Sequence, residues 1–379
     1  MAATAAGGVP TRFAIGNTAK VRVGIMLPYS GTYAALGEQI TNGFKMSLAE
    51  QGGKLGGREV EFVALDDESD PAKAPENASR LVNGDKVDFL VGTVHSGVAM
   101  GILKVVRDSG TITVIPNAGV NEATGALCSP NVFRTSFTNW QSCFPMGKVA
   151  WDRGYRNVVT ISWKYAAGEQ NLGGFEEGFT KLGGKIVKQI MVPFPSAEFQ
   201  AQLTEIAALK PDAVFAFFAG AGALKFVKDY AAANLGIQLL GPGHISDGVL
   251  KAQGEAAEGL LTTHHYCDGL DTAENKRFRA AYKQAFSREA DAYAVQGYDS
   301  ATLLIQGMNA VKGDAGARQA LIAAMEAAVI PSARGTFTLS KAHNPVQDMY
   351  LRQVVKGEEV VLGVAHKALA DPARGCKLA

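Results

Sequence analysis

The stretch Val21-Arg-Val-Gly-Ile-Met-Leu-Pro-Tyr-Ser-Gly-Thr-Tyr33 decides the fold. Its first seven residues are a short apolar run closed by Pro28 and Gly31, the pattern of a strand buried on both faces. Residues 37–50 then carry Ile40, Phe44 and Leu48 at helical spacing. A buried strand followed at once by an amphipathic helix is half of a βαβ unit. The rhythm continues outward from there. Residues 60–65 read as a strand, and Pro71 opens a helix with Asp70 as its N-cap. A third strand covers 87–92, a helix follows Ser96, and 113–116 is a fourth strand. The pattern restarts at 157–162, with strands near 185–192, 213–218 and 239–240. The expected class is therefore α/β, with two doubly wound parallel-sheet lobes covered by helices on both faces. The end differs, because 349–355 and 360–364 flank Lys356-Gly-Glu-Glu as a hairpin.

Composition agrees. A chain of 379 residues is too long for one core and suits two lobes of about 150 residues each. Charged residues at 19%, hydrophobic ones at 47%, and Gly 43 against Pro 14 exclude disorder, collagen and a disulfide-dense miniprotein. Lys plus Arg is 37 and Asp plus Glu is 36, so no bulk field gathers nucleic acid or an anionic membrane. No apolar run reaches the roughly 18 to 20 residues that span a bilayer, so neither nucleic acid nor direct membrane insertion is expected. The first eight residues have no basic n-region and no apolar h-region, which fits a cytoplasmic protein or one whose signal peptide is absent from this chain. Cys128, Cys143, Cys267 and Cys376 form no CxxC and no zinc spacing, and fit two disulfides or four buried thiols.

In a doubly wound sheet, ligands sit beyond the carboxyl ends of the strands. The loops there are 28–33, 93–97 and 117–119 in the first lobe, and 163–168, 219–222 and 242–247 in the second. They are rich in Gly, Ser and aromatics and poor in charge. Ser96 stands where a nucleophile elbow would, but Val94 and Val98 replace the required glycines. It reads instead as a helix N-cap, either a plain one or one that also holds a ligand anion. Asp66, Asp67, Glu68 and Asp70 lack calcium-loop spacing and read as caps and a solvated loop. His264 and His265, adjacent on a strand, point to opposite faces and read as structural or surface residues. No dinucleotide or phosphate-loop motif occurs, and Gly220 and Gly222 read as sites of close helix approach to the sheet. With no nucleophile–base pair, the expectation is a binding protein with no catalytic residue, metal or cofactor.

Val23-Gly-Ile-Met-Leu-Pro-Tyr-Ser-Gly31, Gly37, Asn42-Gly43 and Leu65-Asp-Asp-Glu-Ser-Asp-Pro71 resemble the leucine/isoleucine/valine-type (type I) periplasmic binding proteins of ABC importers. Val91-Gly92, His95-Ser96, Ile115-Pro-Asn117, Phe133-Arg134 and Tyr298-Asp-Ser300 continue the likeness, which runs from Lys20 onward. It implies two lobes joined by a three-strand hinge, 1–138 plus 268–345 and 139–267 plus 346–379, closing over one small solute. It also implies a monomer exported to the periplasm that delivers its solute to a membrane permease. In the family a serine and the following helix hold the ligand carboxylate. That places Ser96 and the Gly97 amide at the ligand, with Asn117, Ala118 and Gly119 beside them. The acid that pairs with an amino-acid ammonium aligns with Gly243, and two ligand-facing tyrosines align with Ala167 and Ala219. Asp247 is then the nearest carboxylate for an ammonium whose unpaired burial costs several kcal/mol.

Tyr29, Tyr33, His95, Trp163, Tyr165, Phe217, Phe218 and Tyr298 surround the cleft loops, although Phe217 and Phe218 also read as core. The expected ligand is an aromatic carboxylate, with His244 bonding a polar substituent at the far end of its ring. The alternatives are an amino-acid-binding protein of the same transporter family, an α/β hydrolase, or an amide-type sensor. Export leads to two expected disulfides, Cys128–Cys143 and Cys267–Cys376.

Overall fold

A computed structural model describes residues 19–379; the first eight residues, on which the signal-peptide reading rests, lie outside the described part. The opening apolar run is strand β1 (Val21–Leu27), at the centre of a six-stranded sheet with β2 (Lys54–Leu55), β3 (Arg58–Asp66), β4 (Phe89–Gly92), β5 (Ile112–Ile115) and β6 (Val132–Arg134). The order is β2-β3-β1-β4-β5-β6, parallel throughout except for the short β2–β3 pair. Every side chain of β4 and β5 is buried, which is why these strands read as unbroken apolar runs.

The second sheet is built on β7 (Asn157–Lys164), β8 (Lys185–Pro193), β9 (Ala213–Phe217), β10 (Gln238–Pro242) and β11 (Leu261–His264). It is extended by β12 (Val329–Ile330), β13 (Phe337–Leu339) and β14 (Pro345–Val355), with β15 (Glu358–Leu369) added beside β14. The order is β12-β13-β14-β11-β10-β9-β7-β8, with β14 antiparallel to both β11 and β15. The expected terminal hairpin is β14–β15, turning at Lys356-Gly357. The chain passes between the sheets after β6, after β11 and along β14. At these crossings Gln141 Nε2 donates to the carbonyls of Pro345 (2.9 Å) and Leu369 (2.8 Å), and Gln347 Nε2 donates to that of Ser136 (2.7 Å).

Two local readings are corrected. Asp70 accepts from the Ala72 amide (2.9 Å) and closes a turn, while the helix begins later, at Ala74. Pro75, not Pro71, is its first-turn proline. The disulfide runs from Cys128 to Cys376, with Cα atoms 5.5 Å apart, so neither expected pair forms. The C-terminal tail lies along the loop that carries Cys128, where Gly375 meets Ala126. Cys143 instead points into the second-lobe core, its thiol bonded to Asn171 Oδ1, and burial pushes its pKa up. Cys267 is likewise a buried thiol, pushed up by burial to about 12.

The close approach of the helix Gly220–Ala232 to the sheet rests on Gly222, since a Cβ there would lie 2.1 Å from the Trp163 ring. Among the described residues no helix is long and apolar enough to cross a membrane.

Candidate ligand-binding site

The lobes touch across the cleft. Tyr33 and Tyr165 share a hydroxyl–hydroxyl bond of 2.8 Å. Gln170 Oε1 accepts from the Asn121 amide (2.9 Å) and from Asn139 Nδ2 (3.0 Å), while its Nε2 donates to Glu122 (2.7 Å). Between these contacts, at the carboxyl ends of β4, β5, β7, β9 and β10, lies a small cavity of about 20 Å³. That is room for about one water molecule in this closed arrangement. Its first-lobe wall includes Tyr33, Ser96, Asn117 and Gly119, and the opposite wall includes Tyr165, Ala167, Phe217, Ala219 and His244. A larger open hollow, bounded by 230–239 and 255–260, lies at the amino ends of β10 and β11, away from these loops.

The helix Ser96–Ser109 starts one residue earlier than a Ser96 N-cap requires. His95 has the extended backbone of the cap, and its Nδ1 accepts from the amides of Gly97 (3.0 Å) and Val98 (3.3 Å). The ring must be neutral with Nδ1 bare, and burial agrees, pushing its pKa down to about 4. His95 also stacks on Tyr165, with centroids 4.7 Å apart. The Gly97 amide is therefore engaged by His95. Because His95 caps the helix, the Ser96 hydroxyl is left to face the cavity. Its oxygen accepts from Asn139 Nδ2 at 3.3 Å, and its proton remains available to a ligand.

Asn117 reaches the wall with Nδ2 held by Gln296 Oε1 (2.7 Å). Gly119 lines the cavity and accepts the Asn139 amide at 2.6 Å. Ala118 is fully buried in the first-lobe core and its amide bonds Thr93, so it does not reach the cavity. Tyr29 lies outside as well, because its hydroxyl turns back to Thr41 (2.8 Å). Tyr298 faces the next helix, bonded to Glu50 (2.5 Å) and packed on Phe278. Trp163 and Phe218 are core residues; the Trp163 indole donates to the Ser196 carbonyl (2.8 Å), and its ring supports Tyr33. Phe217 does line the cavity. The sequence reading missed Phe137 and Asn139, which lie on the crossing after β6 rather than on a strand-end loop. The spacing Thr138-x-x-Gln141, a capping box, was the available signal for a helix start there.

Behind the second-lobe wall lies a buried polar cluster. Arg352 Nη1 donates to Asp247 Oδ1 (2.9 Å), the same nitrogen lies 2.9 Å from Glu359 Oε2, and Ser246 Oγ donates to Glu359 Oε1 (2.5 Å). Burial pushes the Asp247 carboxyl up while Arg352 opposes the push; Asp247 and Glu359 in turn hold the guanidinium charged. Asp247 Oδ1 is thus engaged by Arg352, while Oδ2 lies 3.3 Å from His264 Nε2 without a hydrogen bond. Gly243 leaves room for this pair, since a Cβ there would lie 2.6 Å from both Asp247 Oδ2 and Arg352 Nη2. Burial, then Arg352, pushes His244 down to about 3. His264 and His265 are both buried with rings 4.1 Å apart, because strand alternation ends at His264. The cavity therefore offers a hydroxyl donor on one wall, aromatic rings along its length and a neutral imidazole opposite.

A family model described as periplasmic binding protein matches residues 20–359. The Leu/Ile/Val-binding protein homolog 6 of Brucella melitensis is 32% identical over 348 residues, covering 89% of this chain and 88% of its own. The crystal structure of an ABC transporter solute-binding protein from R. palustris, in complex with benzoate, is 52% identical with a TM-score of 0.93, over 95% of this chain and 100% of that one. A second, from Rhodopseudomonas palustris BisB5 in complex with 3,4-dihydroxybenzoic acid, is 31% identical with a TM-score of 0.88, over 93% and 99%.

Proposed function

The chain belongs to the periplasmic binding protein family, and on that premise we propose that it is the periplasmic solute-binding component of an ABC importer, closing over one aromatic carboxylate. Its partner is then the permease of that importer. One observation carries the ligand class: the cavity has aromatic walls and no acidic residue in its lining. Gly243 supplies no acid, and Asp247 is engaged by Arg352. An α-amino acid would leave its ammonium buried and unpaired at a cost of several kcal/mol, whereas a carboxylate without an ammonium has no such demand. The carboxylate goes to the Ser96 hydroxyl at the start of a helix of 14 residues, where the helix dipole favours negative charge. The ring lies among Tyr165, Phe217 and Phe137, each such contact contributing about 0.5–1.5 kcal/mol beyond burial. Ala167 and Ala219 put small side chains in the wall that the ring faces once the lobes part to admit it. The solved relatives that hold benzoate and dihydroxybenzoic acid support the same reading.

Closure is the working motion. The Tyr33–Tyr165 bond and the Gln170 contacts to Asn121 and Glu122 join the lobes in this arrangement, and a ligand touching both walls shifts the balance toward it. We place the lobe boundaries at 1–138 with 268–345 and at 139–267 with 346–379. A thermal-shift panel of small carboxylates tests the function. Benzoate-type acids at 100 times their dissociation constant should add about 2.7 kcal/mol, with the ligand recovered unchanged. Stabilisation by leucine or valine with benzoate-type acids inert would favour the amino-acid reading, and steady product formation would point to an enzyme.

A further inference from the structure

We infer that His244 selects for a hydroxyl group on the ligand ring, on the side remote from the carboxylate, so that 3- or 4-hydroxybenzoate-type acids are preferred over benzoate itself. The inference rests on the aromatic-carboxylate reading and narrows it. His244 lines the cavity on the wall opposite Ser96. Three rings fix its orientation: Phe137 at 4.7 Å, His264 at 4.9 Å and Phe217 at 5.6 Å between centroids, all edge-to-face. None of them gives either ring nitrogen a conventional hydrogen-bond partner. Nδ1 is enclosed and unpartnered. Nε2 has no hydrogen bond either but is not enclosed as Nδ1 is, in a residue that lines the cavity.

Burial and the nearby Arg352 guanidinium hold the ring neutral, so it carries one N–H and one bare nitrogen. An unsatisfied polar atom in such a place is costly, and a ring C–H placed against it relieves nothing. A phenolic hydroxyl satisfies Nε2 in either tautomer, because it accepts from an N–H and donates to a bare nitrogen. Phe137 neighbours both walls: a Cβ on Gly119 would come within 2.8 Å of its ring, and it meets the His244 imidazole edge-to-face with centroids 4.7 Å apart. A ligand ring lying along Phe137 with its carboxylate at Ser96 brings its meta or para edge to His244.

Calorimetric titration of benzoate, 3-hydroxybenzoate and 4-hydroxybenzoate into the wild-type protein, His244→Phe and His244→Gln tests this. The wild-type protein should bind the better hydroxylated acid roughly 10- to 100-fold more tightly than benzoate. His244→Phe should bind the hydroxylated acids no better than benzoate, whatever its affinity for benzoate, and His244→Gln, whose amide both donates and accepts, should keep part of the preference. Equal wild-type affinity for all three acids, or a preference that survives in folded His244→Phe, overturns the inference while leaving aromatic-acid binding intact. Binding of none of the three overturns both. The wild-type comparison needs no variant, so a poorly folding substitution does not spare the inference.

Discussion

Ser96→Ala separates two roles that the sequence assigned to one residue. The serine is buried, and its one side-chain contact within the protein is the 3.3 Å bond from Asn139, long enough that its loss costs under about 1 kcal/mol. The helix start is held by His95, whose Nδ1 takes two amides. Removing the serine hydroxyl should therefore leave the unliganded melting temperature almost unchanged. Its bond to a charged carboxylate is worth about 1.5–3 kcal/mol, so affinity for benzoate-type acids should fall about 10- to 150-fold. His95→Ala is the counterpart. It loses the cap, worth about 0.5–2 kcal/mol, together with the stacking on Tyr165, and should lower the unliganded melting temperature clearly. Melts of both variants with and without ligand, alongside calorimetry, give both readouts. Unchanged affinity in Ser96→Ala, or a large loss of unliganded stability in it, would refute the reasoning.

Other perturbations have equally definite outcomes. Gly243→Glu, the change that restores an acid at the aligned position, should cost about 3–5 kcal/mol by forcing a Cβ and a third carboxylate against the Asp247–Arg352–Glu359 cluster; a stable Gly243→Glu protein that binds leucine would contradict this account of the cluster. Non-reducing peptide maps should link Cys128 to Cys376, with Cys143 and Cys267 unreactive until unfolding, and reduction should cost about 2–5 kcal/mol in urea melts; a Cys128–Cys143 peptide would refute the pairing. The His95 pKa falls from near 6.5 unfolded to about 4 folded, so its contribution is complete above pH 6.5 and is lost as pH falls toward 4. Between pH 7 and 4.5 the wild-type protein should lose about 2–3 kcal/mol more than His95→Asn, which keeps a cap but does not titrate; parallel pH profiles would refute a neutral buried His95.

The strands were legible because parallel strands buried on both faces are apolar runs with no competing reading, as β1, β4 and β5 are. The strand-end loops brought Tyr33, Ser96, Asn117, Gly119, Tyr165, Ala167, Ala219 and His244 to one cavity, because topology alone carries them there. What was not legible depended on side-chain direction or on distant chain. Histidine is not among the preferred caps, so the serine beside it was given the role. Tyr298 follows a helical face turned toward Glu50, which a motif match does not reveal. Cys128 and Cys376 are 248 positions apart, and only the path of the tail decides their pairing. The pairing of Asp247 with Arg352, which removes the one candidate partner for an ammonium, likewise joins residues far apart in sequence.

A crystal structure of the protein with an aromatic acid bound is the most direct test of the central claim. The account predicts one ligand in the closed cleft, its carboxylate within about 3 Å of Ser96 Oγ and its ring against Phe137, Phe217 and Tyr165. A carboxylate directed instead at Arg352, or a ligand bound outside this cavity, would contradict it.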